Sequence, residues 1–477
     1  MKYYSTRDTE KKYFTAPEAI CKGLADDGGL FIPEEFPSIS KEEMDSYRNM
    51  QYYELAADIL YKFFPELGKE EILAECEKAY AFPNFDPTPA PVKVVGNLAF
   101  LELWHGPTCA FKDMALQIMP RLLAMSMRKL GETRTAHIIT ATSGDTGKAA
   151  MEGFKDLAQT RITVFYPTDG VSETQKRQMA TQEGGNVNVI AVRGNFDDAQ
   201  SAVKAIFADE EIRNIAASHG EFLSSANSIN IARLVPQVAY YVSSYIDLVK
   251  QGYIADGEKL DISVPTGNFG DILAGWIAKK MGVPIGKMVC ASNKNRVLTD
   301  FFVSGVYDIH RPFYATTSPS MDILIASNLE RLLCLTFGVE QNKKFMASLK
   351  KNGNFELTPE QLDVLEAEFD CSCCNNETTA HIIYDLFNEH RYTVDTHTAA
   401  AVLGATDDKC MVVSTASPYK FAPAVASALK AKDPSHEGLS AFTGTEIPAP
   451  LKDIFKKEIR FTRVVDKADI SKSLYLQ

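Results

Sequence analysis

LDISVPTGNFGD, residues 260–271, carries a short apolar run straight into a glycine-rich turn. Leu260–Val264 has the length and composition of a buried strand, and Ile272–Met281 continues as an apolar-patterned helix. The same strand–loop–helix order recurs outward in both directions. Upstream, His137–Thr140 runs through TSGDTG into a helix from Lys148, Ile162–Tyr166 precedes a helix over Gln175–Gln182, and Val187–Val192 precedes one over Asp197–Phe207. Downstream, Lys287–Cys290 is a further strand, and Met411–Val413 leads through STASPYKF into a helix at Ala422–Lys430. Repeated units of this kind predict parallel sheets wrapped by helices, an α/β fold.

The region before these units is of another kind. Pro17–Lys22, Lys41–Met50 and Lys69–Tyr80 read as helices, with DDGGLFIP (Asp26–Pro33) a turn and a short extended piece. FPNFDPTPAP, Phe82–Pro91, holds four prolines and marks the boundary, since proline suits neither a helix interior nor a central strand. A long amphipathic helix is expected over Ile229–Lys250, kinked or restarted at Pro236. Gln341–Glu366 is rich in Lys, Glu and Asn and reads as a helical insertion, with Thr358-Pro359-Glu360 as a helix start.

Composition excludes several classes of function. The 477 residues are 45% hydrophobic and 23% charged, with a net charge of −12. No basic stripe is present, so no nucleic-acid partner is expected. Small anionic substrates stay open, because local amides and a few cations decide such sites. Nine cysteines, an odd and irregularly spaced set, suit a reducing compartment. MKYYSTRDTEKKYF has no apolar core of a signal peptide, and no run of about eighteen apolar residues would span a membrane. A cytoplasmic protein is expected, as monomer or homodimer.

Ligands of open α/β sheets gather where strands end and helices begin. In Pro265–Asp271 the glycines admit close backbone approach, and the helix start offers free N–H donors to a phosphate; a simple tight turn is the alternative. Thr142-Ser143-Gly144-Asp145-Thr146-Gly147-Lys148 looks like half of a nucleotide P-loop, but Thr142 and Ala149 stand where that motif needs Gly and Ser or Thr. Ser143 and Thr146 either hold a second anion or cap the helix. Ser414–Pro418 reads on its own as ordinary capping chemistry. Lys112, between Phe111 and an apolar-patterned helix, is a candidate for a desolvated nucleophilic amine. Cys371 and Cys374 have a zinc-like spacing with no second pair, so no metal is expected. Asn376-Glu377-Thr378 is a glycosylation sequon without a secretory route.

Taken with YYSTR, GLADDGGLFIP, ELWHGPTCAFKDMALQ, NSINIAR, VPTGNFGDILAG, DTHTAAAVLGA and STASPYKF, these segments resemble the threonine synthase family. Its members are pyridoxal-phosphate enzymes of fold type II. The resemblance implies two parallel-sheet domains beside a mostly helical N-terminal region. The division expected here is 1–90 for the helical region, 91–135 with 260–477 for the large cofactor-binding domain, and 136–259 for the smaller one. It further implies that Lys112 bonds the cofactor covalently, as a Schiff base, and later moves protons. Gly267, Asn268, Phe269, Gly270 and Asp271 would hold the cofactor phosphate, and Thr415 would meet the pyridine nitrogen as a neutral partner. Ser143 and Thr146 match the substrate-binding loop, and Asn230 and Arg233 are candidates for the substrate phosphate. Ser417 stands where relatives often have His in STAHP.

The activity so implied is conversion of O-phospho-L-homoserine and water to L-threonine and phosphate, by γ-elimination and then addition of water at Cβ. A pyridoxal-phosphate-dependent phospholyase, releasing a 2-oxo acid, ammonia and phosphate, is the alternative enzyme. A catalytically silent paralogue is the alternative of another class, and the retained Lys112 speaks against it.

Overall fold

The computed structural model describes residues 1–169, 171–194, 196–405 and 409–475. Among these, six strands form one sheet in the order Phe369–Cys373, Ile285–Ser292, Leu260–Pro265, Cys410–Ser414, Leu98–Glu102 and Val92–Val95. Neighbours run parallel except at the last pair, where Val92–Val95 folds back as an antiparallel edge. A second sheet, parallel throughout, has the order Val464–Val465, Val187–Val192, Thr160–Pro167, Thr135–Ala141 and Glu221–Ser224. Strands covered on both faces read as continuous apolar runs, and Cys410–Ser414 is buried at every position. The α/β fold read from the repeating units is the one observed.

The N-terminal region is mostly helical: Ala16–Lys22, Lys41–Tyr47, Tyr52–Phe63 and Lys69–Tyr80, with a two-stranded ribbon of Tyr3–Ser5 and Phe31–Pro33. Thr15 with Glu18, and Ser40 with Glu43, close reciprocal capping boxes that set two of the helix starts. Tyr80 donates its hydroxyl to the Met114 carbonyl at 2.6 Å, fastening this region to the helix that follows Lys112.

One expectation holds in detail, at Pro236, and two others do not. The span Ile229–Lys250 is broken as Pro236 requires, into Ile231–Leu234, a 3-10 turn Val235–Gln237, and Val238–Lys250. Gln341–Glu366 is not helical throughout. Val339–Asn352 ends at Gly353 (φ 72°), and Asn354–Glu356 then pairs antiparallel with Val306–Asp308 before the helix Pro359–Glu366. The range 260–477 does not belong wholly with the large sheet. Val464–Val465 covers the edge of Val187–Val192, and Ile470 and Leu474 pack with Ile190 and Ile206 on the smaller one. An open edge of a parallel sheet leaves backbone groups unpaired, and the returning chain satisfies part of that edge.

No described helix is long and apolar enough to cross a membrane. Cys371 and Cys373 lie on the edge strand of the large sheet, and Cys374, just past it, places its thiol 3.2 Å from the Thr379 hydroxyl.

Candidate active site

The loop after Leu260–Pro265 is held by hydrogen bonds to its backbone and by ring packing. The Asn268 carbonyl accepts from the Asn328 N–H at 3.0 Å and its amide at 3.1 Å, while Phe269 turns left-handed (φ 65°) and buries its ring against Phe302 and Phe369. A Cβ at Gly267 would lie 2.5 Å from the Ser320 carbonyl, so only glycine passes there. The helix Gly270–Lys280 starts at once, presenting the anion-binding end of its dipole. Asp271 is buried, takes the Tyr240 and Tyr241 hydroxyls at 2.6 Å each on Oδ1, and leaves Oδ2 without a partner among the described residues. Burial pushes its carboxyl up to about 6.

Lys112 is placed in the cavity that this loop lines by backbone pairing between two distant segments. The Phe111 N–H donates to the Thr415 carbonyl at 2.7 Å, and Ala110 bridges Ala416. The Lys112 amine is buried, 4.5 Å from the centre of the Phe111 ring and 3.6 Å from Asp145 Oδ2. Burial pushes it below the usual lysine value; Asp145 opposes that shift, and Arg233 and Lys420 add to it. Asp113, next in sequence, is held by the Thr108 N–H at 2.8 Å and hydroxyl at 2.6 Å, and burial raises it to about 6.

The second loop follows Thr135–Ala141. Thr142 Oγ1 accepts from the Gly144 and Gly147 N–H groups at 3.0 and 2.8 Å, which shapes the turn into the helix Asp145–Phe154. Ser143 and Thr146 face the same cavity as Lys112. So does Arg233, only 7% exposed, which donates to the Ala226 carbonyl at 2.9 Å and to Thr146 Oγ1 at 3.3 Å. No carboxylate among the described residues pairs with it, and burial alone lowers its guanidinium to about 10. A buried cation without a counter-ion marks a place for an anion.

One cavity of about 790 Å³ thus gathers Lys112, Ser143, Thr146, Arg233, Gly267, Asn268, Phe269, Gly270, Asp271 and Thr415. Asn230 is not in its wall. Its amide donates to the Ile20 carbonyl and accepts from the Ala232 N–H, both at 3.0 Å, so it caps the helix that carries Arg233. Sequence reasoning missed Asp145 and His397, which also line the cavity. Asp145 lay inside the quoted TSGDTG loop, and its partners come from remote segments. His397 Nδ1 meets Asp395 Oδ2 at 2.7 Å, and its Nε2 faces the Ser320 N–H at 3.2 Å. The Asp-x-His spacing in DTHTAAA was the available signal.

Comparison with known proteins matches three family models: the threonine synthase N terminus over residues 2–80, the pyridoxal-phosphate-dependent enzymes over 92–412, and the threonine synthase C-terminal model over 394–474. Threonine synthase of Saccharomyces cerevisiae is 36% identical, over 98% of this chain and 96% of its own. The chain belongs to the threonine synthase family. Among solved structures, pyridoxal-phosphate-bound threonine synthase of Brucella melitensis superposes with a TM-score of 0.88 at 36% identity, covering 99% of this chain and 98% of that one. The human protein threonine synthase-like 1 is 40% identical over 88% of this chain, which spans only 58% of that protein's length.

The chain has the fold type II architecture of the pyridoxal-phosphate-dependent enzymes, and its cavity fits that cofactor. A desolvated amine, a glycine loop at a helix start, and a buried threonine hydroxyl face one space. Ser417 is buried; its N–H donates to the Cys109 carbonyl at 3.1 Å and its hydroxyl accepts from the Tyr419 N–H at 3.4 Å. It serves as the cap of the turn Pro418–Phe421.

Proposed function

We propose that this enzyme converts O-phospho-L-homoserine and water to L-threonine and phosphate. The single observation that carries the proposal is Arg233: a buried guanidinium without a carboxylate partner, in the cavity that also holds Lys112 and the Gly267–Asp271 loop. Two phosphates need two anion sites. The Gly267–Asp271 loop suits the cofactor phosphate, and Arg233 with Thr146 suits the substrate phosphate. Lys112, Thr415 and residues 267–271 would hold pyridoxal phosphate, which when bound supplies an electron sink for charge developing at the substrate's Cα.

The chain's own residues do the rest. The Lys112 amine, held neutral more readily by burial, takes the proton from Cα and later returns one. Ser143 and Thr146 offer hydroxyls at the start of Asp145–Phe154 that orient the substrate's anionic groups. A proton lost from Cβ lets the Cγ–O bond break, with Arg233 binding the γ-phosphate and stabilising it as it leaves, and Cγ then takes up a proton to become the methyl group. Thr415 would offer the pyridine nitrogen a neutral hydroxyl in place of a carboxylate, a partner that does not favour its protonation. Water then adds at Cβ, and the enclosing cavity limits competing loss of the amino group. Phosphate and threonine released from O-phospho-L-homoserine, measured together, test the proposal; ammonia and a 2-oxo acid in place of threonine would contradict it.

A further inference from the structure

Asp145 lies between two buried lysines, and the reaction above uses only one of them. Lys420 Nζ, with no exposed surface, is 3.0 Å from Asp145 Oδ1 and donates to the Thr108 carbonyl at 2.8 Å. Gln175 Nε2 donates to the same Oδ1 at 2.8 Å. The other oxygen, Oδ2, faces Lys112 Nζ at 3.6 Å and the Ser320 hydroxyl at 3.4 Å. Each carboxylate oxygen therefore has its own lysine. Lys420 is itself fixed: it sits on the turn capped by Ser417, and its carbonyl accepts from the Ser172 hydroxyl at 3.3 Å. Desolvating a second ammonium here is costly, and an apolar side chain would fill the space without that cost.

We propose that Lys420 is a positioning residue, which holds Asp145 so that one oxygen alone faces Lys112 and whose charge weakens the ion pair there. The consequence is a Lys112 amine available in its neutral form. Capture of the cofactor needs that form: the amine nitrogen bonds the aldehyde carbon, and the aldehyde oxygen leaves as water with the two amine protons. Asp145, Arg233 and Lys420 are the charged groups that act on the amine, with Asp271 and His397 in the first turns of neighbouring helices. Burial, Arg233 and Lys420 all push Lys112 down, and Asp145 pushes it up. The proposal rests on Lys112 as the cofactor-binding lysine.

The test is the rate at which the full-length protein, stripped of cofactor, captures pyridoxal phosphate across pH, followed by absorbance. Lys420→Met is expected to move the rising limb to higher pH, and a limb displaced by one pH unit slows capture about tenfold at neutral pH. Asp145→Asn is expected to move it the other way, and the double variant to return it toward the parent. Lys420→Arg, which keeps the charge, should rescue the profile. An unmoved limb in Lys420→Met, or displacements of one sign in both single variants, overturns the proposal. If Lys420→Met does not fold, Asp145→Asn decides: a limb unmoved or displaced upward is the contrary result. Lys112→Ala is the separate control, since a borohydride-reducible link that persists there would overturn the Lys112 assignment itself.

Discussion

Arg233 donates to the Thr146 hydroxyl at 3.3 Å, joining the NSINIAR segment to the TSGDTG loop across the cavity. With Asn230 capping the short helix Ile231–Leu234, the guanidinium is held in place with no carboxylate among the described residues to neutralise it. This arrangement leaves room for one more charge, and it is negative.

Arg233→Met is therefore expected to weaken use of the phosphorylated substrate while sparing cofactor binding. Hydrogen bonds to charged groups contribute about 1.5–3 kcal/mol each, so kcat/KM should fall about tenfold to a hundredfold. Steady-state kinetics beside the cofactor's absorbance spectrum checks both halves. An unchanged kcat/KM would place the substrate phosphate elsewhere.

Lys112→Ala is expected to lose the absorbance of the covalently bound cofactor and the borohydride-sensitive link. Activity should fall by about a thousandfold or more, because proton transfer at Cα loses its positioned group. Mass spectrometry after reduction identifies the labelled residue, and a label on another lysine contradicts the assignment.

Gly153 tests how the two halves of the site are fastened. It lies in Asp145–Phe154, where a Cβ would come within 1.9 Å of the Leu116 carbonyl and 3.2 Å of the Pro120 ring. Gly153→Ala must push the helix Asp145–Phe154 away from the helix behind Lys112. A loss of about 3 kcal/mol or more is expected in denaturant titration, at the upper end of overpacking costs. Ala is otherwise the better helix former, so a stabilised variant would show that the contact is loose.

The two parallel sheets were legible because a covered strand must be a short apolar run, and Leu260–Val264, Val187–Val192 and Met411–Val413 are such runs. Phe369–Cys373 was not, since FDCSC sits at an edge and has little apolar pattern. Tyr52–Phe63 was passed over as well, and Val464–Val465 is too short to be seen without the edge it covers. In the site, Lys112 and residues 267–271 were found through local features that each chemistry needs. Asp145 and Lys420 have no local signature, because they pair across hundreds of residues and meet only in the fold, whereas His397 left the Asp-x-His spacing as its trace. Asn230 misled for a related reason: an asparagine beside a site looks the same in sequence whether it binds a ligand or caps a helix.

Asp271 gives the protein a pH signature. Burial raises its carboxyl from the usual range to about 6, so the folded state binds this proton more tightly than the unfolded state. The stability it contributes is present below about pH 4 and lost as pH rises through about 6. Asp271→Asn removes this dependence and keeps an acceptor for Tyr240 and Tyr241. Relative to the parent, the variant should gain up to about 3 kcal/mol between those limits. Urea titrations at several pH values measure the difference, and a gap that narrows with rising pH would contradict the raised carboxyl.

The central claim is that phosphate leaves from Cγ with its own oxygens and that water enters at Cβ. Turnover of O-phospho-L-homoserine in heavy-oxygen water, with both products analysed by mass spectrometry, tests this directly. The expected result is threonine and phosphate in equal amounts, with one heavy oxygen in the threonine hydroxyl and none in the phosphate. Heavy oxygen in the phosphate, or ammonia and a 2-oxo acid in place of threonine, would contradict it.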